Sequence, residues 1–411
     1  MRRSPKTPYS RSARLLHQLA SIPRRRTYLL VLLLLAFHPG AKPQTFQNFI
    51  RQLTLASASA EKDTLVARYV LRHGAPVVES TSVHFIYRGS GKTAAVPSEI
   101  NGWHPFSSPM VHAEGTNFFW RTDTLPIDAR IEYKLWIDSN WILDPLNPRR
   151  AKGGFGENSE LRMSGYREST ADREDPKTER GAIDTLSIES AILHRRYPVY
   201  VYTPSGYTEG MLLPSIYVTD GGDYLTLGRM DIILNSLIGE KRIQPLVAVL
   251  VDPRTDPKSP SSNQRMIDYA ASDAFLDFLE NEVTPFIQKN YRVSPNRRDR
   301  LIMGASMGGL ISTYAVLRRE GFFANSAAQS PAYWQADSAV IKLLDRIKQT
   351  GGAFYIQTGT IHDTQVEARL VSRLLREKGG KVTFEEFHEG HNWTNWRSKL
   401  DRILTHFFPY P

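Results

Sequence analysis

A serine flanked by glycines, between an apolar run and a helix-like stretch, constrains the fold of this chain more than any other feature. The segment Arg300–Leu310 has the sequence RLIMGASMGGL, in which Gly304-Ala-Ser306-Met-Gly308 follows the apolar run directly. A serine on a sharp strand-to-helix turn needs small neighbours, because larger side chains would collide with the adjacent strand and helix. The pattern therefore predicts a nucleophile, Ser306, at the carboxyl edge of a parallel sheet.

Strand-like and helix-like segments alternate on both sides of this turn. Strands that alternate with helices indicate a mostly parallel sheet covered by helices on both faces. We therefore predict an α/β domain over residues 181–411. The predicted strands are 198–203, 216–219, 246–251, 301–303, 354–357 and 382–387, and the predicted helices include 274–289, 308–319 and 366–378.

The chain before residue 181 has different patterns of apolar and polar residues. Residues 42–77 have helix-like spacing of apolar residues and predict a helical segment. Residues 78–166 alternate apolar and polar positions between turns, which predicts a small all-β sandwich. Residues 167–180 contain almost no apolar side chain and are the candidate linker.

The positive charge of the chain is concentrated at its amino terminus. Residues 1–41 carry eight basic and no acidic residues, and without them the net charge of +10 falls to +2. Three arginines precede an apolar run from Tyr28 to Phe37, which is shorter than the roughly 20 residues of a membrane span. This pattern predicts a signal peptide and an exported protein, periplasmic or secreted, and it argues against a nucleic-acid partner.

The composition and motifs exclude several kinds of chemistry. The chain has no cysteine, so disulfides, a thiol nucleophile and thiolate metal sites are excluded. A GxGxxG motif after a strand and a GxxxxGK[ST] motif are both missing from the sequence. A dehydrogenase or a P-loop phosphate-binding protein therefore has no support, and a serine nucleophile needs neither a metal nor an organic cofactor.

A serine nucleophile requires a base within hydrogen-bond reach. In hydrolases with this turn the chain order is serine, acid, histidine. His391 follows the last predicted strand and is the main candidate for the base, while His388 is an alternative with a supporting or surface role. The histidines after Ser306 are His362, His388, His391 and His406.

The acid that orients the base should follow the preceding strand. Asp363 occupies that place, although it could instead be the N-cap of the next helix. The other acidic candidates are Asp337, Asp345 and Glu367.

The oxyanion of acyl transfer needs two N–H donors. Met307 would supply one, and the loop Thr219–Asp223 would either supply the other or simply form a tight turn.

Together, these segments resemble the enterochelin-esterase-like (esterase D) family of α/β hydrolases over about residues 185–408. The matching segments are Tyr217–Tyr224 (YVTDGGDY), Leu301–Leu310, Ser330–Trp334 (SPAYW) and Gly390–Arg397 (GHNWTNWR). The resemblance implies a Ser306–Asp363–His391 triad, with Gly222 and Met307 donating to the oxyanion. It also implies substrate-binding roles for Arg265, Trp334 and Arg397, although Met-Ile-Asp after Arg265 departs from the expected Arg-x-x-Glu form.

The β-rich region resembles the immunoglobulin-like early-set modules that precede such esterases, and related carbohydrate-binding modules. The resemblance lies in Asn101–Trp103, Tyr133–Asp138 and Asp144–Pro148. Tryptophans 103, 136 and 141 could stack on a sugar or belong to the core of the sandwich.

Three hypotheses for the function follow. The first is an exported serine esterase without a cofactor, acting on a small-molecule or glycan-linked ester, either of the enterochelin siderophore type or a feruloyl or acetyl ester of plant polysaccharide. The second is an acyltransferase with the same triad. The third is a binding protein with a vestigial catalytic domain. Arg254, Arg265 and Arg397 could contact an anionic substrate or face solvent.

Overall fold

A computed structural model describes residues 45–411 except residues 209 and 257. The predicted signal peptide, residues 1–41, lies outside the described residues. Within the described part of the chain, no helix is both long and apolar enough to cross a membrane.

Two helices lead into the β-rich region, α1 (Phe46–Leu55) and α2 (Ser59–His73). Thr45 caps α1 by accepting a hydrogen bond from the Asn48 amide at 3.3 Å. Phe46, Phe49 and Leu53 repeat at helical spacing and are buried, so one face of α1 packs against the β-rich region. The helical segment expected from the apolar spacing is therefore present.

Ten short strands form three antiparallel sheets in the β-sandwich. Phe85 faces the sandwich core, whereas Ile86 faces α1 and α2, so helices cover the second face of this sheet. The sheet orders are β1-β2-β5-β4, β3-β7-β8 and β6-β10-β9. The strands are β1 (Val77–Glu79), β2 (Ser82–Arg88), β3 (Ala94–Ala95), β4 (Val111–His112), β5 (Phe118–Thr124), β6 (Arg130–Tyr133), β7 (Leu135–Ile137), β8 (Asn140–Ile142), β9 (Arg150–Gly153) and β10 (Gly156–Arg162).

An eight-stranded sheet forms the centre of the hydrolase domain, in the order β11-β12-β14-β13-β15-β16-β17-β18. β12 pairs antiparallel with both β11 and β14, and the remaining pairs are parallel, which confirms the predicted mostly parallel sheet. The strands are β11 (Ala182–Ser190), β12 (Arg195–Thr203), β13 (Ser215–Val218), β14 (Val247–Val251), β15 (Arg300–Ala305), β16 (Asn325–Gln329), β17 (Ala353–Gly359) and β18 (Lys381–Phe387).

Helices cover both faces of this sheet. Along β14, Val247 and Val249 belong to one core and Ala248 and Leu250 to the other, because successive side chains of a strand point to opposite faces. Helices α6 to α10 line the first core, and α3, α4, α11 and α12 line the second. The helices are α3 (Gly221–Thr226), α4 (Met230–Gly239), α5 (Arg265–Asp268), α6 (Asp273–Phe278), α7 (Thr284–Asn290), α8 (Met307–Arg318), α9 (Gln335–Arg346), α10 (Gln365–Glu377), α11 (Trp393–Arg397) and α12 (Leu400–Phe407).

Candidate active site

Ser306 lies on a strained turn between β15 and α8. Its φ of 58° and ψ of −116° are sparsely populated by residues other than glycine, and such strain is found at functional sites. The Ser306 amide donates to the Gln329 carbonyl at 2.8 Å, and the Ser306 carbonyl accepts from the Leu310 and Ala332 amides. The surrounding backbone therefore holds the strained conformation at the carboxyl edge of the sheet.

Gly304 permits this turn to sit close to its neighbours. A Cβ at this position would overlap Thr219 Oγ1 and would lie 2.7 Å from the backbone carbonyl carbon of Gly308. A side chain at position 304 would therefore collide with the residue after β13 and with the first turn of α8, as the sequence motif predicts.

The Asp363 and His391 side chains are joined by a hydrogen bond. His391 Nδ1 donates to Asp363 Oδ1 at 2.7 Å, and the Asp363 side chain is fully buried. Asp363 Oδ2 accepts from Ser330 Oγ at 2.7 Å and from the Gly359 amide at 2.6 Å. These bonds fix the orientation of the carboxylate, so that one oxygen is directed at the imidazole.

Trp396 packs against the other side of this pair. Its indole ring meets the His391 ring edge-on, with centroids 5.0 Å apart, and its Nε1 donates to Ser330 Oγ at 2.9 Å. The His391 side chain nevertheless remains 34% exposed. The imidazole is thus fixed by the buried Asp363 and still accessible from solvent.

Ser306 and His391 lie at the same edge of the sheet. The Ser306 amide donates to the Gln329 carbonyl. Ser330, which follows Gln329 in the chain, donates through its hydroxyl to Asp363. Within the described residues, Ser306 Oγ makes no hydrogen bond with His391. Catalytic hydrogen bonds are often long or absent before substrate binds, so this geometry is compatible with a nucleophile and its base.

The alternative residues have other partners or positions. His388 Nδ1 contacts Asp128 of the β-sandwich at 2.7 Å. Thr364, not Asp363, is the N-cap of α10. Asp337 and Asp345 belong to α9, Glu367 belongs to α10, His406 belongs to α12, and His362 is an exposed residue beside Asp363.

The two predicted oxyanion donors follow neighbouring strands. Met307 is the first residue of α8 after β15, and Gly222 is the second residue of α3 after β13. β13 and β15 are parallel partners, so both residues lie at the carboxyl edge of the sheet. Amides in the first turn of a helix lack an intrahelical acceptor and can donate elsewhere. Their role in binding the oxyanion stays a prediction.

Arg265 supports the nucleophile turn rather than projecting freely. Its Nε donates to both Asp220 oxygens, at 2.9 and 3.0 Å, and its Nη2 donates to the Ala305 carbonyl at 2.8 Å. Burial raises the pKa of Asp220, and the neighbouring Arg265 charge opposes that rise. Arg265 therefore ties the strand end before Ser306 to the turn that carries Gly222.

The other two predicted substrate-binding residues differ in exposure. Arg397 is engaged by Asp172 of the predicted linker at 2.9 Å and by the Leu227 carbonyl at 3.2 Å. Trp334, at the start of α9, is 45% exposed. Arg254 pairs with Asp252 and Asp223. Substrate contact by any of these side chains stays a prediction.

Several residues around the site were missed by sequence reasoning. Ser330 carries no signal beyond its place in the SPAYW segment. Arg130 and Glu99, from the β-sandwich, reach the loop that carries His391, and Asn392 bonds to both. Arg130 lies in an alternating strand, where a charged residue usually indicates the solvent-facing side, and only the tertiary structure shows that it is buried.

Comparison with known proteins gives the family. A family model described as "Putative esterase" matches residues 190–407, which is more than half of the chain. The chain belongs to this esterase family. Among curated relatives, the uncharacterized protein YjcH of Bacillus subtilis is 26% identical over 235 residues, 54% of this chain and 96% of the relative. An endo-1,4-β-xylanase/feruloyl esterase of Xylanibacter ruminicola is 24% identical over 240 residues, 56% of this chain and 31% of the relative.

Solved structures resemble this esterase over both of its domains. The ferric enterobactin esterase of Salmonella typhimurium matches with a TM-score of 0.70 and 18% identity, over 83% of this chain and 98% of that one. An enterobactin esterase of Shigella flexneri, in the presence of enterobactin, matches with a TM-score of 0.68 and 20% identity, over 83% and 97%. The predicted α/β-hydrolase fold with a preceding β-sandwich is confirmed, and the family makes the chain a carboxylic-ester hydrolase.

Proposed function

We propose that this esterase is a serine hydrolase in which Ser306 attacks the ester carbonyl, His391 is the base, and Asp363 orients His391. The observation that carries the proposal is the hydrogen bond from His391 to the buried Asp363 carboxylate, at the same sheet edge as a serine in a strained strand-to-helix turn. Strain of this kind presents a nucleophile to solvent, and a buried carboxylate fixes the imidazole tautomer.

The reaction has two stages, acylation of Ser306 and hydrolysis of the acyl-enzyme. Ser306 Oγ forms a bond to the carbonyl carbon while His391 Nε2 takes the hydroxyl proton, and the resulting oxyanion is bound by the Met307 and Gly222 amides. His391 then gives the proton to the departing alcohol, which leaves an acyl-Ser306 ester. Water attacks this ester in the same manner, its proton passes through His391 to Ser306, and the free acid departs.

Turnover of p-nitrophenyl acetate by the wild-type chain and by Ser306→Ala tests this mechanism. We expect a burst followed by steady hydrolysis in the wild type, and a loss of about a thousandfold or more in the variant. Ser312→Ala is the matched control, because Ser312 lies inside α8 and its hydroxyl donates to the Gly308 carbonyl of the same helix at 2.7 Å. Equal turnover by wild type and Ser306→Ala would remove Ser306 as the nucleophile.

For the substrate we propose a siderophore ester of the enterobactin type. Proteins named as enterobactin esterases share the fold of both domains, which supports this choice. A fold by itself hosts many substrates, so activity must decide. We expect kcat/KM for a catecholate trilactone to exceed that for simple acetyl esters by about a hundredfold or more. A preference for acetyl esters would contradict the assignment.

A feruloyl ester is the second candidate substrate. It is favoured by the relative named as an endo-1,4-β-xylanase/feruloyl esterase, which matches 56% of this chain. Methyl ferulate and feruloylated arabinoxylan belong in the same substrate panel as the trilactone. Product analysis with and without a sugar acceptor distinguishes hydrolysis from acyl transfer, because only a transferase gives an acylated sugar.

We also propose that the protein is exported. The support is the basic segment followed by the apolar run from Tyr28 to Phe37. Cell fractionation of the full chain, with amino-terminal sequencing of the mature product, tests this proposal. We expect a periplasmic or secreted protein that begins near Ala41. Replacing two leucines of the apolar run by arginine should retain the protein in the cytoplasm, and export unaffected by that change would contradict the proposal.

A further inference from the structure

The loop that carries His391 is attached to the β-sandwich along most of its length. The Arg130 amide donates to the His388 carbonyl at 3.0 Å. Arg130 Nη1 donates to Asn392 Oδ1 at 2.9 Å, and Asn392 Nδ2 donates to Glu99 Oε1 at 2.6 Å. The residues on both sides of His391 therefore contact the other domain.

Arg130 is fully buried between carboxylates of the two domains. Its Nε lies 2.6 Å from Glu160 and its Nη2 lies 3.0 Å from Glu132, both in the β-sandwich. Its Nη1 lies 3.9 Å from Glu389, which belongs to the His391 loop and also bonds Lys399 at 2.8 Å. A buried charge persists only where it is paired and hydrogen-bonded, so the guanidinium has one well-defined position.

Glu99 also packs against this loop. A Cβ at Gly390 would lie 2.5 and 2.6 Å from the two Glu99 carboxylate oxygens, so the missing side chain lets the loop pass against Glu99. Glu99 Oε2 also accepts from the Glu132 amide at 2.9 Å. The position of Glu99 is thereby fixed by the β-sandwich backbone.

We propose that Asn392 is a positioning residue for His391, held in place by Arg130 and Glu99 of the β-sandwich. The inference rests on the proposed role of His391 as base. Asn392 is also the N-cap of α11, because its Oδ1 accepts from the Asn395 amide at 2.9 Å. One side chain thus links the β-sandwich, the helix that carries Trp396, and the backbone of His391.

This arrangement gives the β-sandwich a role in catalysis that does not require it to contact the substrate. The His391 side chain is held by Asp363 of its own domain. The backbone next to His391 is held by Arg130 and Glu99 of the β-sandwich. A misplacement of about 1 Å in a catalytic group costs about a hundredfold in rate. Losing the contacts of Asn392 should therefore reduce kcat and leave KM little changed.

The test compares Asn392→Ala and Asn392→Ser in the full chain. Serine is a good N-cap, so Asn392→Ser keeps the cap of α11 but is too short to reach both Arg130 and Glu99. Asn296→Ala is the matched control, because Asn296 caps a short helical turn ahead of β15, at the opposite edge of the sheet. We expect kcat to fall about tenfold to a hundredfold in both Asn392 variants, with KM within about twofold and with Asn296→Ala unchanged.

A second measurement does not depend on ester turnover. The proton between His391 Nδ1 and Asp363 gives a nuclear magnetic resonance signal far downfield of the amides, assigned by its loss in Asp363→Asn. We expect this signal to shift or broaden in both Asn392 variants and to stay unchanged in Asn296→Ala.

Three outcomes would overturn the inference. One is a wild-type kcat in folded Asn392→Ala. Another is a reduced kcat in Asn392→Ala but a wild-type kcat in Asn392→Ser, which would show that Asn392 matters only as the N-cap of α11. The third is a downfield signal that is absent in the wild type or that keeps its wild-type position and width in both Asn392 variants. If the wild type hydrolyses no ester, the proposed function fails, and the signal still decides whether Asn392 positions His391.

Discussion

Both oxygens of the Asp363 carboxylate accept hydrogen bonds. Oδ1 accepts from His391, while Oδ2 accepts from Ser330 Oγ and the Gly359 amide. All these partners are donors, so the site is built for a group that only accepts hydrogen bonds. An ionised carboxylate has that property, and an amide does not.

Asp363→Asn therefore tests the role of this residue with almost no change in volume. The introduced NH2 group must face either His391 Nδ1 or the two donors at Oδ2, so the imidazole loses its fixed tautomer. We expect kcat for p-nitrophenyl acetate to fall by about 10³-fold to 10⁴-fold, as removal of the acid does in serine hydrolases. Asp345→Asn, at an exposed position of α9, is the control and should keep wild-type turnover. Retained activity in Asp363→Asn would assign the acid to another residue.

Chain order and local motifs carried the prediction of Ser306, Asp363 and His391. The same reasoning could not find Ser330, Asn392 or Arg130. The hydroxyl of Ser330 acts between Asp363 and Trp396, and the guanidinium of Arg130 acts across a domain boundary. These contacts join residues 33, 66 and 262 positions apart, and contacts at such separations leave no periodicity or spacing in a single sequence.

At the level of elements, the strand–turn–helix unit formed by β15, Ser306 and α8 depends on close backbone packing. Gly304→Ala would bring a methyl group onto Thr219 Oγ1 and to 2.7 Å from the backbone of Gly308. Overpacking against backbone cannot be relieved by a rotamer change, so we expect the free energy of unfolding to fall by about 2 kcal/mol or more. Denaturant unfolding measures this loss.

The control for this change is Gly321→Ala. A Cβ at Gly321 meets no atom within 4 Å, so the same substitution should alter the free energy of unfolding by less than about 1 kcal/mol. If both variants were equally stable, the close packing around Ser306 would not be required by the fold.

Apolar periodicity located most of the hydrolase sheet, and its misses have physical reasons. The strand β11 is an exposed edge strand with a mostly polar sequence, AIDTLSIES, and it is held by pairing with β12. The strand β16 (NSAAQ) is buried but has small and polar side chains. The predicted helix 274–289 is divided into α6 and α7 by one wider turn, Leu279–Val283. Pairing partners and helix widening depend on tertiary packing, which a local pattern does not record.

Across the whole molecule, a buried charge cluster joins the two domains. Arg130, Glu99, Glu132 and Glu160 come from the β-sandwich, and Glu389 comes from the hydrolase domain. Removing one partner of a buried ion pair leaves an uncompensated charge, which usually costs about 3–5 kcal/mol. The two domains should therefore unfold as one cooperative unit rather than separately.

Glu99 makes the stability of this unit depend on pH. Burial, and then the nearby Glu132 carboxylate, raise the pKa of Glu99 from 4.5 to about 8, although Arg130 and the hydrogen bonds from Glu132 and Asn392 oppose the rise. The folded protein therefore keeps a proton that the unfolded chain releases between these two values. This contribution to stability is complete below pH 4.5 and is lost as the pH rises through 8, at no more than about 1.4 kcal/mol per pH unit.

Replacing Glu99 by glutamine removes this titration and isolates its effect. The free energy of unfolding of Glu99→Gln minus that of the wild type should rise steadily between pH 5 and pH 8, because only in the wild type does the unfolded chain release a proton that the folded protein keeps. Denaturant unfolding at several pH values measures the difference, with Glu114→Gln, at an exposed loop of the β-sandwich, as the control that should show no such rise. A constant difference would mean that Glu99 is ionised in the folded protein throughout this range. The cluster would then hold Glu99 as a carboxylate beside Arg130, and Asn392 would donate to that carboxylate throughout this pH range.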